Sequence, residues 1–183
     1  GKESVYAIYL LENALDKYKE KIKEKNKTSA ISLALALIID LLWCYRDLEI
    51  KDKEEELILW ALSNPNLNKE AHIWKEAANF YLNQNNSQKV VSCLVKAAKL
   101  APNKIEFHTE LARMYYQNGE IEKSYIVISN FFSNSLSGKS SEIYFLGLAF
   151  YMINATELAE LIYRYIRCDP LVSSWGYYDN LVL

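Results

Sequence analysis

The chain has 183 residues, 51% of them hydrophobic, enough for a sizeable core in one domain or one continuous repeat array. Its 21 Lys and Arg nearly balance 23 Asp and Glu, and a net charge of -2 argues against the basic face that nucleic acid demands, so no nucleic-acid partner is expected. Three prolines and five glycines leave few helix breakers, and the three cysteines, Cys44, Cys93 and Cys168, make neither a paired disulfide set nor a metal-ligand spacing.

Residues 3–27 read as one amphipathic helix. Leu11, Leu15, Tyr18 and Ile22 form its apolar stripe. From Asp16 onward the other face alternates Lys17, Lys19, Glu20, Lys21, Lys23, Glu24 and Lys25, a solvated face with weak neighbour pairs. Lys2 and Glu3 precede only this helical pattern, so no signal peptide is read there. With cysteines placed as small helix residues, a reducing, cytoplasmic setting is expected.

Thr28 can cap the next helix. Residues 30–45 are almost wholly apolar, broken by Ser32 and Asp40. That run is shorter than the roughly 20 residues of a membrane span, and Arg46 and Asp47 close it. A fully buried core helix is expected, membrane contact is disfavoured, and Asp40 should bond a buried Trp or Tyr donor. Residues 51–63 form another helix, with Leu57, Ile58, Trp60, Ala61 and Leu62 apolar. Asn64, Pro65 and Asn66 end it, and the same punctuation returns at Ala101, Pro102 and Asn103.

A ruler then becomes visible. Trp74, Ala77, Ala78 and Tyr81 share one helical face, and Val90, Leu94 and Ala97 share a second, with Pro102 closing the unit. Between them Asn83 to Ser87 is a turn without one apolar residue. Adding 34 gives His108, Leu111, Ala112 and Tyr115, then Ser124, Ile128, Phe131 and Leu136, around the turn residues Asn118 and Gly119. A third copy reads Ile143, Leu146, Gly147, Phe150, then Leu158, Ile162, Tyr165 and Pro170. Small residues at Ala78, Ala112 and Gly147 allow close helix approach, and neighbouring pairs must stack to hide their apolar faces.

Over residues 69–170 these motifs resemble the tetratricopeptide repeat (TPR) family, whose 34-residue unit reads Trp-x2-Leu-Gly-x2-Tyr, Ala-x3-Phe, Pro. Trp74 to Tyr81 and Leu146 to Phe150 match well, while the middle copy departs at His108, Ser124 and Leu136. The resemblance implies an all-α fold, an α-α superhelix: a right-handed TPR-like solenoid of antiparallel helix pairs. The expected layout is one helical-repeat domain over 1–183. It holds the N-terminal helix at 3–27, a degenerate repeat at 28–66, and TPR-like repeats at 69–103, 104–138 and 139–171. A tail follows at 172–183, aromatic and apolar, and Ser133 to Ser141 is the longest irregular stretch.

Motifs for bond-making chemistry do not assemble. Gly138, Lys139 and Ser140 look like the end of a phosphate loop, but Ser133 stands where its leading glycine belongs. His72 and Glu76 are one turn apart, too few ligands for zinc. No nucleophile elbow or Cys–His–Asp spacing occurs, and the remaining carboxylates read as solvated. No enzyme activity, cofactor or metal is therefore expected.

In proteins of the resembled family the first helix of each pair lines a concave surface. Beside the core stripe run His72, Lys75, Asn79 and Leu82, then Glu106, Thr109, Arg113 and Tyr116, then Ser141, Tyr144, Leu148 and Tyr151. These rows predict a groove, cationic near Lys75 and Arg113 and aromatic near Tyr116, Tyr144 and Tyr151. Family members that hold chaperone C-terminal carboxylates use a Lys and an Asn one turn apart, which Lys75 and Asn79 match. The further positions fall at Glu110, Ser141 and Phe145 and do not match. The expected function is a non-enzymatic adaptor that binds a protein or peptide segment, with an acidic group accepted near Lys75 and Arg113. The alternative is a subunit docking by apolar ends into a larger assembly, with self-association.

Overall fold

The computed structural model describes residues 2–23, 28–134, 147, 150–151 and 155–168, and every regular element among them is helical. In chain order these are α1 (Lys2–Lys23), α2 (Thr28–Asp47), α3 (Lys51–Ser63), a 3-10 turn (Leu67–Lys69), α4 (Ala71–Asn83), α5 (Ser87–Leu100), α6 (Ile105–Gln117), α7 (Ile121–Asn134) and α8 (Thr156–Cys168). Gly147, Phe150 and Tyr151 are also helical. The irregular stretch expected after Ser133 lies, beyond Asn134, outside the described residues, as does the tail. Contacts divide the chain into two units, Gly1–Leu100 and Ala101–Leu183.

In the first unit α1 buries Ile8, Leu15 and Ile22, spaced by seven so that they share one side. They face α2, which buries Ala30, Ala34, Ile38, Leu41, Leu42 and Tyr45. α4 and α5 pair closely, and α3 touches both α2 and α4. Asn64 Oδ1 accepts the N–H groups of Asn66 and Leu67, which turns the chain after α3, and the Asn66 amide donates to the Ile22 carbonyl at the end of α1.

α2 corrects two expectations. It spans 20 residues with a mean hydropathy of 1.8, long and apolar enough to cross a membrane, a test that core helices of soluble proteins also pass. It is not fully buried: only a third of its apolar window is covered, and Leu33 and Trp43 face outward. Asp40 stands on that outward side and is exposed, so water solvates its charge and no buried donor is required.

One turn recurs four times. The N–H of Ile50 donates to the Tyr45 carbonyl, Asn86 to Tyr81, Glu120 to Tyr115 and Ala155 to Phe150, at 2.8 to 3.0 Å. Each bond spans five residues, and the residue before the donor is left-handed in the first three copies: Glu49, Asn85 and Gly119. Glycine does this freely, whereas Glu49 does it at roughly 1 kcal/mol. Four residues beyond each donor, Glu54, Val90, Ser124 and Ala159 make the first bond of the next helix, and all four are buried. Lys53, Lys89 and Lys123, eight residues past each tyrosine, place Nζ over the Tyr45, Tyr81 and Tyr115 rings at 5.9, 4.6 and 5.5 Å.

The second unit packs Ala112, Ile128, Phe131, Phe150, Leu158 and Ile162 in one core, with Tyr116 and Tyr163 against its edge. Ser124 replaces the valine of the preceding copy. Its hydroxyl donates to the Ala112 carbonyl at 2.7 Å, so the polar atom is satisfied inside the core. Gly147 is buried too, and a Cβ there would stand 2.7 Å from Cε1 of Tyr163.

Candidate partner-binding surface

α4 turns Ala71, Ile73, Glu76, Ala77, Ala78 and Phe80 inward. The expected row follows on its outer side: His72 is exposed, Lys75 and Asn79 are half-buried, and Leu82 is 42% exposed. Trp74 sits between row and core, its indole N–H donating to the Asn68 carbonyl at 2.7 Å. The turn register carries this row into α2 as Ala36, Ile39, Trp43 and Arg46, and Trp43 is 67% exposed. Trp43 was overlooked because α2 read as buried all round. The 36-residue step from Tyr45 to Tyr81 was the signal that could have found it.

Arg46 explains two carboxylates wrongly expected in water. Glu54 and Glu76 are buried, with side chains only 6% and 10% exposed. The Arg46 guanidinium donates from Nε to Glu54 at 2.6 Å, from Nη1 to the Glu76 carboxylate at 2.5 Å and from Nη2 to the Glu76 carbonyl at 3.2 Å. Burial works against its charge, but the two carboxylates outweigh it and hold the guanidinium above its usual pKa. One side chain thus ties the end of α2 to the first turn of α3 and the middle of α4 within the first unit.

In the second unit the row has internal partners. The Thr109 hydroxyl donates to the Ile105 carbonyl at 2.9 Å, and Tyr116 packs against the core. Arg113 donates from Nη2 to Glu110 at 2.5 Å, so an incoming acid would compete with a carboxylate already in place. Tyr151 is 59% exposed. Tyr144 and Leu148 lie outside the described residues.

His108 repeats the Trp74 arrangement 34 residues later. Its Nε2 lies 3.0 Å from the Pro102 carbonyl, and its ring is 4.9 Å from that of Phe131. A neutral imidazole with a proton on Nε2 donates this bond. Burial lowers its pKa below the ordinary 6.5, with the Pro102 bond opposing in part. The unfolded chain therefore takes up the proton first, and stability should fall as pH drops below 6.5. Urea midpoints at about pH 7.5 and about 5.5 should differ more for the parent than for His108→Gln, which keeps an N–H donor but does not titrate.

Among the described residues no group of three His, Cys, Asp or Glu is placed to hold a metal ion. Cys93 is buried, which pushes its thiol pKa up, and Cys44 is half-buried; both are free thiols.

Helical hairpins closed by one repeated turn, with small residues at the close approaches, define a TPR-like helical-repeat fold. Two solved structures carry the same conclusion. Two crystal structures of MamA, a TPR-containing protein, superpose with a TM-score of 0.51 each. They are 16% and 14% identical to this chain, and the matches cover 84% and 86% of it against 85% and 88% of MamA. A monomeric IFIT1 mutant with Gppp-AAAA gives a TM-score of 0.48 at 17% identity, over 91% of this chain and 43% of its own. No family model and no curated protein sequence matches. At such identities the likeness is one of fold.

Proposed function

We propose that this chain is a non-enzymatic protein-interaction module, and that each unit holds part of a partner segment on the outer rows of its first helices. The first unit offers Trp43 with His72, Lys75, Asn79 and Leu82. The second offers Thr109, Arg113, Tyr116 and Tyr151, with Tyr144 and Leu148 by sequence register. The observation that carries this reading is the exposure of large apolar side chains at matched row positions, Leu82 and Tyr151 above all. Aromatic residues so placed supply large contact area at low entropic cost.

Replacing Tyr116, Tyr144 and Tyr151 together with alanine should abolish affinity capture of the partner from native cells, while the helical circular dichroism stays unchanged. Because Tyr116 packs on the core, Tyr151→Ala alone serves where the triple variant loses helix. Capture that survives both variants rejects this surface. The alternative, docking of apolar ends into an assembly, is favoured by one feature. Val5, Tyr6, Tyr9 and Leu10 are exposed on α1, with Tyr6, Tyr9 and Leu10 turned away from the buried stripe of Ile8, Leu15 and Ile22. A scattering mass that rises with concentration, and no longer does so in Tyr6→Glu, would select it.

A further inference from the structure

The three tyrosine–lysine turns are alike in backbone but not in what meets them. In the first copy both groups converge on one atom: the Tyr45 hydroxyl and the Lys53 ammonium donate to Oε1 of Glu12, at 2.7 and 2.6 Å. Glu12 belongs to α1, which is not one of the repeated hairpins. α1, packed on α2 by Ile8, Leu15 and Ile22, thus also presents one carboxylate to the turn, and the Lys53 bond holds the Glu12 pKa below the usual range. Tyr45 is buried beneath it.

In the third copy Lys123 is met by Glu120 from its own turn. The second copy has Asn86 at that position. There Lys89 lies over the Tyr81 ring at 4.6 Å, and among the described residues neither the Tyr81 hydroxyl nor the Lys89 ammonium meets a carboxylate. Tyr81 is also only half-buried, unlike Tyr45.

We infer that the Tyr81–Lys89 turn is a docking site for a glutamate carried on a partner helix, held as Tyr45 and Lys53 hold Glu12. Three observations support it: the shared backbone register, a cation that meets no carboxylate among the described residues, and an occupied copy in the same chain that displays the ligand chemistry. The phenol supplies one donor and the ammonium a charged one, which selects a carboxylate over an amide. This deepens the interaction-module reading by naming the partner's chemistry, yet it uses none of the row residues.

The probe is a peptide of the α1 sequence, residues 2–23, titrated calorimetrically into the full chain. Tyr81→Phe and Lys89→Gln should each weaken binding about tenfold, and a peptide with Glu12→Gln should lose as much. Tyr81→Phe keeps the ring and Lys89 is exposed, so both variants should fold, as circular dichroism will verify. Absence of binding overturns the proposal, and so does binding indifferent to both changes. Binding lost only in Tyr45→Phe or Lys53→Gln also overturns it, because the peptide is then exchanging with the chain's own α1. The Tyr116, Tyr144 and Tyr151 capture experiment leaves this turn intact, so failure of the rows and failure of this site are separable.

Discussion

Arg46→Ala is expected to destabilise the first unit by about 3–5 kcal/mol, read as a lower urea midpoint with an unchanged slope. The cause is not the loss of one favourable contact. Glu54 and Glu76 remain in the interior with no guanidinium to meet them, and an unpaired buried carboxylate is costly. A control separates burial from pairing. Arg46→Met combined with Glu54→Leu and Glu76→Leu removes all three charges, and should recover much of what the single change loses. If Arg46→Ala moves the midpoint no more than an ordinary surface change, about 0.5 kcal/mol, the cluster is not holding three helices together.

Gly147→Ala should destabilise the second unit by about 1–3 kcal/mol, the usual range for an overfilled core. A single methyl group would stand 2.7 Å from Cε1 and 3.0 Å from Cζ of Tyr163, and the Tyr163 ring packs at the edge of the core that Phe150 and Ile162 fill. Strain localised in this way has a signature. Tyr163→Ala makes room, so the double variant should lose less stability than the two single losses added together. Strict additivity in thermal or urea unfolding would show that the two residues do not press on each other.

The fold was largely legible before the structure. The helix expected at 51–63 is α3 to the residue, and the polar turns at Asn83 to Ser87 and at Asn118 and Gly119 separate α4 from α5 and α6 from α7. The reason is physical: stacked hairpins need small residues at crossings and polar residues at bends, and both leave marks in a sequence. α2 was misjudged because hydropathy records what a residue is, while burial depends on which neighbours arrive. Leu33 and Trp43 are apolar and have no helix over them. Glu54 stands inside a run of six charged residues, Lys51 to Glu56, that reads as solvated. Only its place in the register with Val90 and Ser124 marks it as interior, and that register rests on Tyr45, which no proline or glycine announces. The row residues were found by spacing, but spacing does not record that Glu110 occupies Arg113 or that Thr109 bonds its own helix.

The four bends between paired helices have one length, while the aromatic residues that open them lie 36, 34 and 35 positions apart. Tolerance to insertion and deletion is therefore unevenly distributed. One residue added between Tyr45 and Ile50 would break the Ile50–Tyr45 bond that sets the bend, and would pull Lys53 and Glu54 from their partners together. An added residue is met more easily outside these bends, but not within residues 64–70, where Asn66 donates to the Ile22 carbonyl, Leu67 is buried and the Asn68 carbonyl accepts the Trp74 indole N–H.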